Sequence, residues 1–314
     1  MRPAFIAAHS AKTADLENSA RVTGRFAPSP TGPLHFGSVV AAVASYLSAR
    51  SVNGRWLVRI DDLDAPRKVA GADSEILRLL EALDLLWDGP VTYQSQRNES
   101  YQEALSSLFR QEAVYPCSCT RAMVGRRPYP GTCRAGSVTK HGARALRVRI
   151  PEIPVEFVDR VQGAVTQDLS LVCGDFVVRR SDGLWAYHLA TIVDDADAGV
   201  TEVVRGSDLL DSTPRQIHLS RLLNLPEPSY AHFGVVTDTK GIKLSKQSQA
   251  PPVAPGAARM ALYHALNFLN LAPPEALLTT DCRTMLDWAL GAWHPTKFPR
   301  AGARSPLQDG RLAF

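Results

Sequence analysis

RFAPSPTGPLHFGS, residues 25–38, joins two different periodicities. Before it, residues 22–27 read as a strand. Within it, Pro28, Pro30, Gly32 and Pro33 form a stiff turn, and residues 34–50 (LHFGSVVAAVASYLSAR) then carry helical apolar spacing. The unit is therefore strand, loop, helix. Working outward, residues 56–60 predict a second strand that runs into the acidic stretch Asp61, Asp62, Leu63, Asp64, with helices at 74–83 and 101–111. Strands alternating with helices imply a parallel α/β sheet.

From 115 to 176 the pattern changes to cysteines, Pro and Gly turns and short β-like pieces such as 145–150, which we read as an inserted subdomain. The α/β pattern returns at 186–193 and 201–205, with a helix at 214–223. After a lysine-containing loop at 240–246, PPVAPGA breaks regular structure before helices at 258–269 and 283–293. The expected organisation is a mobile leader (1–20), a catalytic α/β domain (21–114 and 177–250), the insertion (115–176) and a short helical C-terminal region (251–314).

Chemistry enters first at His35 and Gly37, where a helix begins. Free backbone N–H groups and the positive end of the helix dipole favour phosphate there. Gly37 lets a base or ribose approach the backbone, and His35 can donate to a phosphate oxygen as charge develops. A capped helix with an ordinary histidine would look the same as an isolated HxGx. A second element, GIKLSKQ, supplies Lys243 and Lys246, with Lys240 just before it, on a Gly-containing loop suited to closing over a triphosphate.

Composition narrows the partners only slightly. With 35 Lys and Arg against 31 Asp and Glu, the formal charge is +4, weak evidence by itself for nucleic acid. No apolar run approaches the roughly 20 residues needed to cross a bilayer and the N-terminus lacks a signal-peptide pattern, so no membrane is expected and the cytoplasm is the expected location; a monomer is expected. Cys117, Cys119 and Cys133 lie in the pattern C-x-C-x9-Y-x3-C; three thiolates so close suit Zn²⁺, whose structural sites need a fourth ligand. Spacing leaves Tyr129 and His141 open for that place. Cys173 and Cys282 are isolated and read as small buried hydrophobes.

Four motifs in order give these elements a family. RFAPSPTGPLHFGS (25–38) resembles the first signature of class I aminoacyl-tRNA synthetases in its glutamyl form, and KLSKQ (243–247) resembles the second. RIDDLDAPR (59–67) resembles the acidic motif after the second strand of that subclass, and WAYHLATIVDDADAGVTEVVRGSDLLDSTPRQIHL (185–219) its amino-acid pocket region. The resemblance implies a Rossmann-like catalytic fold binding ATP at His35, Gly37, Ser38, Lys243 and Lys246, with His35 and Lys246 catalytic and Mg²⁺ arriving with the nucleotide. It also implies glutamate held by Arg25, Phe26, Ala27, Pro28, Ser29, Asp61, Tyr187 and Arg205. Guanidinium forks suit two carboxylates, and a carboxylate suits the ammonium. Two positions depart from the family: Asp61 stands where glutamate is usual, and Ser38 where the general class I signature has a second histidine.

Only 68 residues follow Lys246, fewer than a conventional glutamyl-tRNA synthetase uses to read the anticodon. The chain is thus similar to the short paralogue lacking that region, which implies one structural Zn²⁺ with Tyr129 as fourth ligand, tRNA-independent activation of glutamate, and transfer to queuosine at the wobble position of tRNA(Asp). Competing readings are a truncated enzyme charging tRNA(Glu), a nucleotidyltransferase of the same superfamily and a non-catalytic tRNA-binding module; His35 and Lys246 favour an enzyme.

Overall fold

The computed structural model describes residues 21–136, 144–237, 244, 251–294 and 297–300. The chain begins with β1 (Thr23–Phe26), α1 (Phe36–Arg50), β2 (Arg55–Ile60), α2 (Ala72–Ala82), β3 (Thr92–Tyr93), α3 (Asn98–Arg110) and β4 (Val114–Cys117). Then come β5 (Ala145–Val148), β6 (Val155–Asp159), β7 (Gly163–Gln167), β8 (Phe176–Arg179), α4 (Tyr187–Asp197) and β9 (Glu202–Gly206). The last major elements are α5 (Thr213–Leu223), β10 (Ser229–Phe233), α6 (Ala258–Phe268) and α7 (Cys282–Ala292).

Two parallel sheets meet edge to edge. One has the order β1-β2-β3; in the other, β9, β10 and β6 run parallel, with β7 antiparallel at the edge. Their seam lies between β1 and β9, where the Thr201 N–H donates to the Thr23 carbonyl at 2.9 Å and the Thr23 N–H donates to Thr201 Oγ1 at 2.9 Å. Both faces of the strands are covered, as the apolar pattern of parallel strands requires. Along β9 and β10, Val204, Ala231 and Phe233 join one cluster with α1, α6 and α7, whereas Val203 and Tyr230 join another with α3, α4 and α5.

Helix α1 is apolar nearly all round and is buried accordingly. Its small residues permit this: a Cβ at Gly24 on β1 would stand 3.2 Å from the Ala49 Cβ, so the helix lies close against the strand. Trp56 on β2 is fully buried, and its indole N–H, the one polar group of its side chain, donates to Ser45 Oγ at 3.0 Å. The C-terminal helices contribute Leu262, Leu266, Met285 and Leu286 to the same cluster, so they extend the main core.

The stretch 115–176 divides in two. Strands β4, β5 and β8 form a separate antiparallel sheet carrying the cysteines, but the β6–β7 hairpin joins the parallel sheet, with Asp159 opposite Tyr230. Asp175, fully buried, ties the cysteine loop to β8: Arg134 donates to it in a fork at 2.6 and 2.5 Å, and the Tyr115 hydroxyl donates as well. Burial would raise that carboxyl, but Arg134 and Tyr115 hold it below its ordinary value. Among the described residues no helix is long and apolar enough to cross a membrane.

Candidate active site

Beside the seam, β1 leads into α1 on one face of the sheet and β9 leads into α5 on the other. Such a reversal leaves a crevice beyond the carboxyl ends of the two strands. A cavity of about 290 Å³ occupies it. All eight residues expected to hold glutamate line this cavity, as do His35, Gly37 and Ser38. Lys240, Lys243, Lys246 and His141 lie outside the described residues. Leu244, between two of those lysines in sequence, lines the cavity, and its N–H donates to the Val236 carbonyl at 2.9 Å. Downstream, the Val253 N–H donates to the Leu34 carbonyl and Pro252 pairs with His35. The described residues flanking the KLSKQ motif are therefore fastened beside the start of α1.

His35 is the N-cap of α1. Its Nδ1 accepts from the Ser38 N–H at 3.3 Å, and its Nε2 is 3.2 Å from Ser38 Oγ. Gly37 faces this ring: a Cβ there would lie 3.2 Å from Nδ1 and 3.6 Å from the Leu244 carbonyl oxygen. The glycine thus gives space to His35 itself, in addition to any ligand.

The end of the cavity lined by Arg25, Arg59 and Asp61 is a set of buried ions. Arg25 uses Nε on Asp195 at 3.3 Å, and among the described residues its Nη1 and Nη2 have no hydrogen-bond partner. Arg59 donates Nε to Asp61 at 2.7 Å and Nη1 to Asp195 at 2.6 Å, while among the described residues its buried Nη2 has no hydrogen-bond partner. Burial raises the Asp61 carboxyl above its ordinary range, with Arg59 pulling the other way. A bound ammonium beside Asp61 would relieve that cost. Burial would also raise Asp195, but Arg25 and Arg59 hold it below its ordinary value.

Arg205 is buried under a nearly complete shell of partners. Its Nε donates to His232 Nε2 at 2.9 Å, and Nη2 donates to Thr213 Oγ1 at 2.9 Å and Gln216 Oε1 at 2.7 Å. Among the described residues Nη1 has only a long contact, 3.4 Å, with the Tyr187 hydroxyl. That corner of the fork has the spare hydrogen-bonding capacity for a ligand.

Sequence reasoning missed Arg59, Asp194 and Asp195, although all three stand in the motifs quoted above. Asp194 is held by Tyr101, Gln94 and Arg97, and so anchors the second carboxylate of the pair. Of the acidic stretch, only Asp61 faces the cavity. Asp62 instead accepts from the Ser95 N–H and hydroxyl, each at 2.8 Å, and from Lys68 at 3.0 Å.

The cysteine cluster stands apart from this cavity. The Sγ atoms of Cys117, Cys119 and Cys133 all lie within 4.8 Å of one another, and the Tyr129 hydroxyl is 3.3 Å from Cys117 Sγ and 3.7 Å from Cys119 Sγ. Tyr129 is fixed from behind, where its N–H donates to the Cys173 carbonyl at 2.9 Å. Gly174 makes that approach possible at φ +62°, since a Cβ there would stand 2.1 Å from the Tyr129 carbonyl oxygen. Arg147 lies over the Tyr129 ring at 3.9 Å and donates to Cys117 Sγ at 3.2 Å. The cluster can hold a metal ion: Zn²⁺ bound tetrahedrally at about 2.3 Å per thiolate needs sulfurs about 3.8 Å apart, and Cys119 and Cys133 are 3.6 Å apart. Cys173 and Cys282 are half-buried against the two main clusters, more exposed than the sequence suggested.

Comparison with known proteins agrees with this geometry. The family model for the catalytic domain of class I tRNA synthetases (E and Q) matches residues 21–127 and 133–271. The glutamyl-Q tRNA(Asp) synthetase of Thiobacillus denitrificans is 50% identical over 290 residues, covering 90% of this chain and 96% of that protein. That of Geobacter sulfurreducens is 49% identical over 298 residues, covering 90% and 95%. A glutamate tRNA ligase from Elizabethkingia meningosepticum shares the fold, with a TM-score of 0.75 at 24% identity, over 90% of this chain and 67% of its own. With a class I catalytic domain matched along most of its length and relatives of this identity and coverage, the chain belongs to the glutamyl-Q tRNA(Asp) synthetase family of class I aminoacyl-tRNA synthetases.

Proposed function

We propose that this protein activates L-glutamate with ATP, taken as its Mg²⁺ complex, and transfers the glutamyl group to queuosine at the wobble position of tRNA(Asp). One observation carries the reading: Arg25, Arg205 and Asp61 converge on the same cavity that the start of α1 opens into. Two guanidinium groups and a carboxylate match a substrate with two carboxylates and one ammonium. The α-carboxylate of glutamate attacks the α-phosphorus of ATP; an O–P bond forms, the bond to the β-phosphate breaks, and pyrophosphate leaves. His35 turns from Ser38 to donate to the α-phosphate, and Lys243 and Lys246 neutralise the departing charge. A hydroxyl of the queuosine ring then attacks the glutamyl carbonyl, and AMP leaves.

Glutamate-dependent exchange of pyrophosphate into ATP, assayed without tRNA, tests the first half. Arg205→Ala should raise the KM for glutamate about tenfold or more while shifting the KM for ATP far less, because a substrate carboxylate loses a charge-assisted partner. Equal shifts for both substrates would make Arg205 a structural residue.

The cysteine cluster in this reading holds one structural Zn²⁺ through Cys117, Cys119, Cys133 and Tyr129. Zinc supplies a covalent staple to a small sheet with few large apolar residues. The Arg147 guanidinium offsets the negative charge that thiolates would bring. Protein prepared without chelator should carry about one Zn²⁺ per chain, and Cys133→Ser should lose it and unfold at lower temperature. Elemental analysis finding no zinc would remove the metal from this reading.

A further inference from the structure

Behind Arg205 the structure holds a buried relay that ends on the β6–β7 hairpin. Arg205 on β9 and His232 on β10 are register partners. His232 Nε2 accepts from Arg205 Nε at 2.9 Å and lies 3.1 Å from the Thr213 hydroxyl, whose oxygen also accepts from Arg205 Nη2. With two donors around it, Nε2 must be the unprotonated nitrogen. The proton then sits on Nδ1, which donates to Asp159 Oδ2 at 2.6 Å. Asp159 is held in turn by the N–H groups of Val161 and Gln162, each 2.9 Å from Oδ1, and by that of His232. Both side chains of the His232–Asp159 pair are completely buried.

We propose that Asp159 and His232 are positioning residues for substrate binding: the Asp159 carboxylate locks His232 in the Nδ1–H tautomer, and its bare Nε2 aims the Arg205 guanidinium into the cavity. The inference rests on the glutamate reading given above and extends it to a hairpin that the sequence assigned to the insertion. The lock has a direct electrostatic reason. A proton on Nε2 would point at the Arg205 Nε–H, donor against donor, so either the other tautomer or the imidazolium would push the guanidinium away. Burial holds the His232 imidazole below its ordinary value, against the pull of Asp159, which keeps it neutral.

Asp159→Asn is the decisive variant because it is nearly isosteric. The amide oxygen can keep the three backbone N–H donors, which leaves the amide N–H₂ facing His232 Nδ1. The ring must then move its proton to Nε2, against Arg205. His232→Gln is the matching rescue, since its oxygen can accept from Arg205 Nε and its N–H₂ can donate to Asp159. The experiment combines ¹⁵N NMR of the histidine side chains with steady-state pyrophosphate exchange on the full chain. We expect a protonated Nδ1 and bare Nε2 for His232 in the wild type and the reverse in Asp159→Asn. The KM for glutamate should rise about tenfold or more in Asp159→Asn, as displacement of a binding group does, with kcat and the KM for ATP within about twofold. His232→Gln should stay near wild type in all three. A protonated Nε2 in the wild type would overturn the proposal, and so would an unchanged glutamate KM or parallel losses for glutamate and ATP in Asp159→Asn. The tautomer of the wild type decides the matter even if a variant fails to fold. Wild-type protein that exchanges nothing with glutamate would instead overturn the glutamate reading, and the proposal with it.

Discussion

Replacing His35 or Lys246 by alanine should lower glutamate-dependent pyrophosphate exchange by about 10²-fold or more, the usual result of losing a preorganised donor to charge that develops in the transition state. His35 needs a control, because it also caps α1. Losing a cap costs about 1 kcal/mol, and less for a contact as long as 3.3 Å. Helix α1 is buried along most of its length, and burying even one Val or Leu stabilises by about 1.5–3 kcal/mol. The fold should therefore survive His35→Ala with a small fall in melting temperature. His35→Asp separates the two roles, since aspartate is a good N-cap but donates nothing and repels phosphate. We expect it to restore the melting temperature and leave exchange as low as in the alanine variant. Recovery of exchange in His35→Asp would reduce His35 to a cap, and near wild-type exchange in Lys246→Ala would remove that lysine from the mechanism.

What the sequence revealed, and what it hid, follows from the range of each interaction. The strand–turn–helix at 25–38 is local: Pro28, Pro30 and Pro33 set the turn, and apolar spacing sets the helix, so β1 and α1 lie within two residues of the expected bounds. Tyr187 and Arg205 were legible only through a resemblance, because nothing about a lone tyrosine or arginine marks it as a ligand. Arg59 on β2 and Asp195 on α4 lie 136 residues apart in sequence and meet through tertiary packing that periodicity does not encode. Asp159 and His232 are separated by 73 residues and meet because β6 pairs with β10. The hairpin itself was hidden by its position directly after the cysteine stretch, whose turns made the whole of 115–176 look like one insertion. Its own signal was broken as well: burial alternates along β6, but Val158 is exposed and Asp159 buried, the reverse of the apolar-in, polar-out alternation that marks a half-buried strand.

Transfer to tRNA should be all or none with respect to the modified base. Queuosine carries a cyclopentene diol, and one of its hydroxyls can attack the glutamyl carbonyl as a ribose hydroxyl would, so the product is an ester on the base. For that to happen the anticodon arm must reach the cavity of the catalytic domain. A basic surface is available for its phosphates: between Glu112 and Glu152 the chain has seven arginines and no carboxylate, and Arg121, Arg126 and Arg127 are exposed. Contacts of that kind release counterions, so transfer should weaken steeply as salt is added, while tRNA-free exchange changes far less. Labelled glutamate should then enter tRNA(Asp) from ordinary cells and be absent from tRNA(Asp) made in cells unable to synthesise queuosine. Periodate oxidation of the 3′-terminal ribose, done with the queuosine diol protected, should leave the yield unchanged. The match to glutamyl-Q tRNA(Asp) synthetases over 95–96% of their length supports this acceptor over the 3′ end of tRNA(Glu). Glutamate esterified to queuosine-free tRNA(Asp), or to the 3′ end of tRNA(Glu), would overturn the assignment and leave activation as the only part of the reaction still standing.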